Sequence, residues 1–169
     1  MVPVLRGGKR ERVEFLRLWL GEKCILLDHF IEGVLNQRGC PEVVNSVVSK
    51  ERTALLRAWK LKIAETVRDK RSHPAHPAPS VISIAFLMCP SNHRNRAFDM
   101  DNSVKPVIDG IAMGLWGDIE RVRADPNAHF DADDSIFRSI YLDDHRIPNP
   151  TDEGVFVSVS VIPTKDSAG

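Results

Sequence analysis

The chain has 169 residues, 43% of them hydrophobic, enough for one core of ordinary size without disulfide or metal staples. Lys and Arg number 23 against 23 Asp and Glu, so the net charge of zero excludes a uniformly basic coat, and the lack of any apolar run of about eighteen residues excludes a helical membrane span. With no signal-peptide pattern at the N-terminus, a soluble cytoplasmic protein of one domain spanning residues 1–169 is expected.

Along the chain, Lys9, Arg10 and Arg12 form a basic N-terminal arm, and residues 13–20 read as a strand, although apolar residues on both faces leave a helix open. Residues 25–35 read as a helix with Gly39 as its stop, and 41–49 as a connection. A helix is expected over residues 50–70, with Leu55, Trp59, Ile63 and Val67 as its apolar row. Its basic residues, Lys50, Arg52, Arg57, Lys60, Lys62, Arg68 and Lys70, with Arg71 just beyond, face either DNA or water.

His73 and His76 lie in a proline-rich segment that reads as an extended connector rather than a zinc site. Cys24, Cys40 and Cys89 are odd in number and lack paired zinc spacing, which predicts reduced thiols. Residues 81–88 alternate Ile82, Ile84, Phe86 and Met88 on one face and predict a strand. Two further strands, 136–142 and 155–162, flank a loop containing Asp143, Asp144, Pro148 and Pro150. Together these predict an α+β fold, a small mixed or antiparallel sheet packed with helices.

The chemistry concentrates between the first and second of these strands. Asp99 and Asp101 are two apart, so in an extended lead into a helix both carboxylates leave the backbone on one side. Val104, Val107, Ile108, Ile111, Ala112 and Leu115 then mark a buried helical face. Pro106 must lie early in that helix, which places its start near Asp101 to Ser103. Steps of four from Asp101 reach Lys105 and Asp109, away from the apolar stripe. Asp133 or Asp134, returned by a strand beside the helix, supplies a further carboxylate. Carboxylates with an ammonium one turn away suit a hard cation, Mg²⁺ with Mn²⁺ as the variant, acting on a phosphodiester. Taken singly, each aspartate is an ordinary cap or turn residue; their joint order points to a site.

The motif Asp-x-Asp-Asn-x-x-Lys-x-x-x-Asp, a helix ending Gly-x-Trp, Asp-Asp-Ser and two closing strands resemble the RusA-type Holliday junction resolvases over about residues 80–162. The resemblance implies a RusA-like fold and a Mg²⁺-dependent homodimeric endonuclease that cuts four-way DNA junctions by paired nicks, in DNA recombination and repair. It implies Asp99, Asp101, Lys105 and Asp134 as catalytic residues, with Asp99, Asp101 and Asp134 holding the metal and Asp133 as a further candidate ligand. Asp109 also matches an acidic position of the motif. Arg94 and Arg96, just before the acidic pair, are the expected phosphate contacts.

Two departures stand out. Residues 117–132, with Asp118, Asp125, Asp131 and His129, form an inserted stretch read as a solvated loop, and residues 1–49 diverge from the family pattern. The alternatives are a metal-dependent nuclease selective for forks, flaps or single strands, and a non-catalytic branched-DNA-binding protein. A nucleotidyl- or glycosyl-transferase lacks its Gly-rich phosphate loop here. Residues 1–96 carry 17 Lys and Arg against 9 Asp and Glu, and residues 97–169 carry 6 against 14, so a basic half faces an acidic one. Either the basic half tracks phosphates or the two halves fold together and cancel.

Overall fold

The computed structural model describes residues 25–33, 50–72, 76–89 and 100–162, with the backbone alone for 50–53, 100–102 and 150. Strand β1 (Ile25–Glu32) precedes helix α1 (Lys50–Lys70), strand β2 (Ser80–Met88), helix α2 (Met100–Trp116), the short helix α3 (Ile119–Ala124) and strand β3 (Phe137–Arg146). A 3₁₀ turn (Pro150–Asp152) then leads into strand β4 (Gly154–Val161). The four strands form a mixed sheet in the order β1-β4-β2-β3, packed with helices, so the fold is α+β.

Strand β4 lies antiparallel between β1 and β2, whereas β2 and β3 are parallel. A parallel pair cannot be closed by a hairpin and needs a crossover, which α2 and α3 supply. Leu27 and Ile31 of β1, Ile82, Ile84 and Phe86 of β2, and Val155, Val157 and Val159 of β4 share one sheet face by register. They form a core with Trp59, Ile63 and Val67 of α1 and Val107, Ile111 and Leu115 of α2.

Several expectations change. Residues 25–32 are a strand, not a helix, and the chain ends it at Gly33 with φ +93°. The run Ile25-Leu26-Leu27 fits a helical window, but pairing with β4 makes residues alternate from Leu27 onward, and a register shift before Leu27 buries Leu26 as well. That partner lies far along the chain, where no local pattern reveals it. Asp143 and Asp144 belong to β3 rather than to the loop after it, because the parallel ladder with β2 continues to Met88 and Arg146.

Residues 119–124 are helical, with Ile119 and Val122 buried beside Ala64, Met113 and Ala128, so the inserted stretch is partly core and not simply a solvated loop. On α1, Trp59, Ile63 and Val67 are buried as expected, but Leu55 is 46% exposed and Leu56 packs on the core in its place. Helix α2 starts at Met100, which puts Pro106 in its second turn, where it removes the hydrogen bond to the Asn102 carbonyl. The expected strand at 13–20, the connection at 41–49, Cys24, Cys40 and His73 lie outside the described residues. The Cys89 thiol is buried and donates to the Pro148 carbonyl at 3.5 Å.

Candidate functional site

The apolar stripe of α2 faces the core that it shares with α1 and the sheet, which leaves a flank of the helix outside that core. Lys105 and Asp109 stand there one turn apart, and the Lys105 ammonium lies 2.6 Å from Asp109 Oδ1. The other oxygen of that carboxylate, Oδ2, accepts a hydrogen bond from Lys60 Nζ of α1 at 2.6 Å. Lys105 also donates to Asp134 Oδ2 in a short ion pair. Two lysines and two aspartates from three separate segments thus form one alternating chain of charge, Lys60–Asp109–Lys105–Asp134.

The turn that delivers Asp134 is built by its neighbours. Trp116, the last residue of α2, donates its indole N–H to the Asp133 carbonyl at 3.0 Å and sets its ring 5.6 Å from that of Phe137. Asp133 Oδ1 accepts from the Ser135 backbone N–H at 2.9 Å, an Asx turn, and the Asp134 carbonyl accepts from the Phe137 N–H at 3.1 Å. Hydrogen bonds from the Ser135 hydroxyl and then the Ser135 N–H hold the Asp133 carboxyl below the usual aspartate range. Its carboxylate is thereby committed to the turn, while Asp134 projects to Lys105.

The Lys105 ammonium is subject to opposing effects. Partial burial pulls its pKa down, but its hydrogen bonds to Asp109 and Asp134, with their charges, outweigh this and hold it above the ordinary lysine value. Lys105 is therefore a permanent cation at neutral pH.

Of the residues singled out in the sequence, Lys105, Asp109 and Asp134 are brought together. Asp133 adjoins them through its backbone and turn. Asp101 lies on the first turn of α2, one turn from Lys105, whereas Asp99, Arg94 and Arg96 lie outside the described residues. Among the described residues, no group of three or more His, Cys, Asp or Glu side chains is placed to hold a metal ion. The motif aspartates, Asp99 and the side chain of Asp101, fall outside that set.

The acidic residues of the 117–132 stretch are used locally. Asp118 caps α3 by accepting from the Arg121 N–H at 3.0 Å, Asp125 Oδ1 accepts from the Asn127 N–H at 2.8 Å, and Asp131 pairs with Arg121. His129 is exposed, and its carbonyl accepts from Arg121 at 3.0 Å.

No family model, curated protein or solved structure matches this chain. Sequence reasoning missed Lys60, which it grouped with the helix's surface charge, and Phe130, whose ring lies 5.4 Å from Lys60 Nζ and 5.6 Å from the Arg57 guanidinium. No spacing signal could have found Lys60, because its link to Asp109 spans two helices. Trp116 was visible in the Gly-x-Trp motif, but not its hold on Asp133.

Proposed function

We propose that this chain is a Mg²⁺-dependent endodeoxyribonuclease that resolves four-way DNA junctions by paired symmetric nicks, acting as a homodimer. The observation that carries this reading is the meeting of Lys105 with Asp134. Lys105 and Asp134 are far apart in sequence, and their ion pair sets the Asp134 turn against α2, one helical turn from the backbone of Asp101. The RusA-type resemblance supplies the reaction class.

Asp99, Asp101 and Asp134 would hold the cation. Their donor set fits it, being carboxylate oxygens alone, with Asp134 on a partly exposed turn open to substrate. A Mg²⁺ ion held there would supply charge neutralisation at the phosphate and acidify water. Lys105, charged and anchored by Asp109 and Asp134, stabilises the additional negative charge of the phosphorane-like transition state. Asp133 keeps the turn in shape. Twofold-related nicks require two such sites, which a C2 dimer presents in matched orientation.

The test is cleavage of a labelled mobile four-way junction, beside a linear duplex of matched sequence, by wild type and Asp101→Asn, with Mg²⁺ and with EDTA. Metal-dependent symmetric nicks confined to the junction and absent from the variant are expected. Cutting of the duplex at equal rate would replace the reading with a broader nuclease. Tight junction binding with no product would leave a non-catalytic branched-DNA-binding protein.

A further inference from the structure

We propose that Lys60, on α1 and outside the acidic motif, is a positioning residue that acts through Asp109 to aim the Lys105 ammonium, with Phe130 holding Lys60 in place. The inference rests on the nuclease reading for its kinetic consequence, and on geometry alone for its structural one.

Asp109 is nearly buried, its side chain 11% exposed, and each carboxylate oxygen carries a different lysine. A carboxylate gripped at both oxygens cannot turn without breaking a charge-assisted hydrogen bond. Lys105, in contrast, is 63% exposed, so neighbouring side chains do not enclose its flexible stem. The direction of its ammonium is therefore set by its partners, and Asp109 is the partner on its own helix.

Lys60 also divides the charge of Asp109. Without it, the whole carboxylate charge would act on Lys105 and draw the ammonium inward, away from Asp134 and an incoming phosphate. Shared between two cations, Asp109 orients Lys105 without monopolising it.

Lys60 is itself constrained. Its side chain is 20% exposed, its head group is occupied by Asp109, and the Phe130 ring lies beside it. A lysine so enclosed does not reach out to a DNA backbone. Arg57, on the same helix, donates to the carbonyls of Val122 at 2.5 Å, Asp125 at 2.8 Å and Ala128 at 2.8 Å, tying the segment before Phe130 to α1. The 117–132 stretch thereby carries the ring that packs beside Lys60.

The experiment compares wild type, Lys60→Met, Lys60→Arg, Lys105→Ala and the Lys60→Met/Lys105→Ala double variant in single-turnover nicking at saturating junction, with junction Kd and melting temperature measured in parallel. Lys60→Met is expected to nick about tenfold to a hundredfold more slowly with Kd within about twofold of wild type, as a displaced catalytic group should. Lys60→Arg, which keeps the cation, should recover most of the rate, and Lys60→Met should add no loss once Lys105 is absent. A weakened Kd at unchanged rate would make Lys60 a phosphate contact and overturn the proposal. An unchanged rate, or an equal further loss in the Lys105→Ala background, would overturn it too.

If Lys60→Met does not fold, Phe130→Leu takes its place and should slow nicking in the same direction at unchanged Kd; an unchanged rate in that variant counts against the proposal. A second readout needs no activity. The ¹⁵N resonance of the Lys105 ammonium should shift in Lys60→Met and stay in place in Lys70→Met. A wild type that cuts nothing would sink the nuclease reading, and the resonance would still decide the link between Lys60 and Lys105.

Discussion

Asp133 and Asp134 are adjacent and chemically identical, yet the fold gives them different work. Asp133 closes an Asx turn on Ser135, a bond that an asparagine oxygen can also accept, whereas Asp134 meets Lys105 as a charge. Asp133→Asn should therefore keep nicking within about threefold of wild type, and Asp134→Asn should abolish it; equal losses would return Asp133 to the metal site. The depressed pKa of Asp133 means that its contribution to the turn is complete above its unfolded value and disappears as pH falls through the lower folded one. Lys105 has the opposite sign. Its raised pKa keeps the ammonium at any working pH, and its contribution is lost only as pH rises through a value above the ordinary lysine one. Lys105→Ala should cost roughly a hundredfold or more in nicking rate, as for loss of a preorganised charge donor, with junction Kd nearly unchanged. Single-turnover rates with filter or gel binding measure both, and a rate equal to wild type would remove Lys105 from the mechanism.

At the scale of elements, the site depends on how closely α1 and α2 approach. A Cβ at Gly110 would lie 2.8 Å from the Ile63 Cβ and 2.9 Å from the Lys60 carbonyl oxygen, and one at Gly114 would lie 2.5 Å from the Val67 Cβ and 2.6 Å from the Ala64 carbonyl oxygen. Two glycines one turn apart thus let the backbones nearly touch, which is how Lys60 reaches Asp109. The contact is secured at the far end by Arg68, which donates to the carbonyls of Gly114 at 2.8 Å, Met113 at 3.2 Å and Gly117 at 2.6 Å, and by Arg71, which donates to the Leu115 carbonyl. These guanidinium groups satisfy the C-terminal carbonyls of α2 and complement its dipole. Gly114→Ala should destabilise the protein by about 1–3 kcal/mol through overpacking, read as a lower denaturation midpoint. A midpoint equal to that of wild type would mean that the helices separate freely. Gly110→Ala, beside Lys60, should in addition slow nicking.

Across the whole molecule, the opposed halves of charge are partly spent on each other. Lys60 pairs with Asp109, Arg123 of the acidic half pairs with Glu65 of the basic half at 2.9 Å, and Arg57 and Arg68 are turned to backbone carbonyls of the acidic half. Much of the basic side of α1 therefore holds the fold together instead of meeting DNA. Phosphate contacts are then expected mainly from the segment before α2. Replacing Arg94 and Arg96 by Ala should weaken junction binding and flatten the dependence of log K on log salt by up to about 1.8, two phosphate contacts at roughly 0.9 each. Titrations at several salt concentrations test this, and an unchanged slope would place the contacts elsewhere. No helix among the described residues is long and apolar enough to cross a membrane.

The sequence by itself determined what short-range periodicity and spacing encode. The apolar stripe from Val104 to Leu115 specified α2, the alternation from Ile82 to Met88 specified β2, and the i to i+4 step from Lys105 to Asp109 placed two charges on one helix side. Only the tertiary structure decided the rest. Ile25–Glu32 became a strand because β4, at the other end of the chain, offered a ladder that a local window cannot see. Leu55 turned outward and Leu56 inward because helix rotation follows the packing partner as well as the apolar pattern. Asp134 was separated from Asp133 by the hold of Trp116 on the turn, and Lys60 was drawn from a basic surface into the site by the close approach at Gly110. Periodicity is a property of neighbours along the chain, whereas a network such as Lys60–Asp109–Lys105–Asp134 exists only once separate segments are packed together and bring their charges within hydrogen-bond reach.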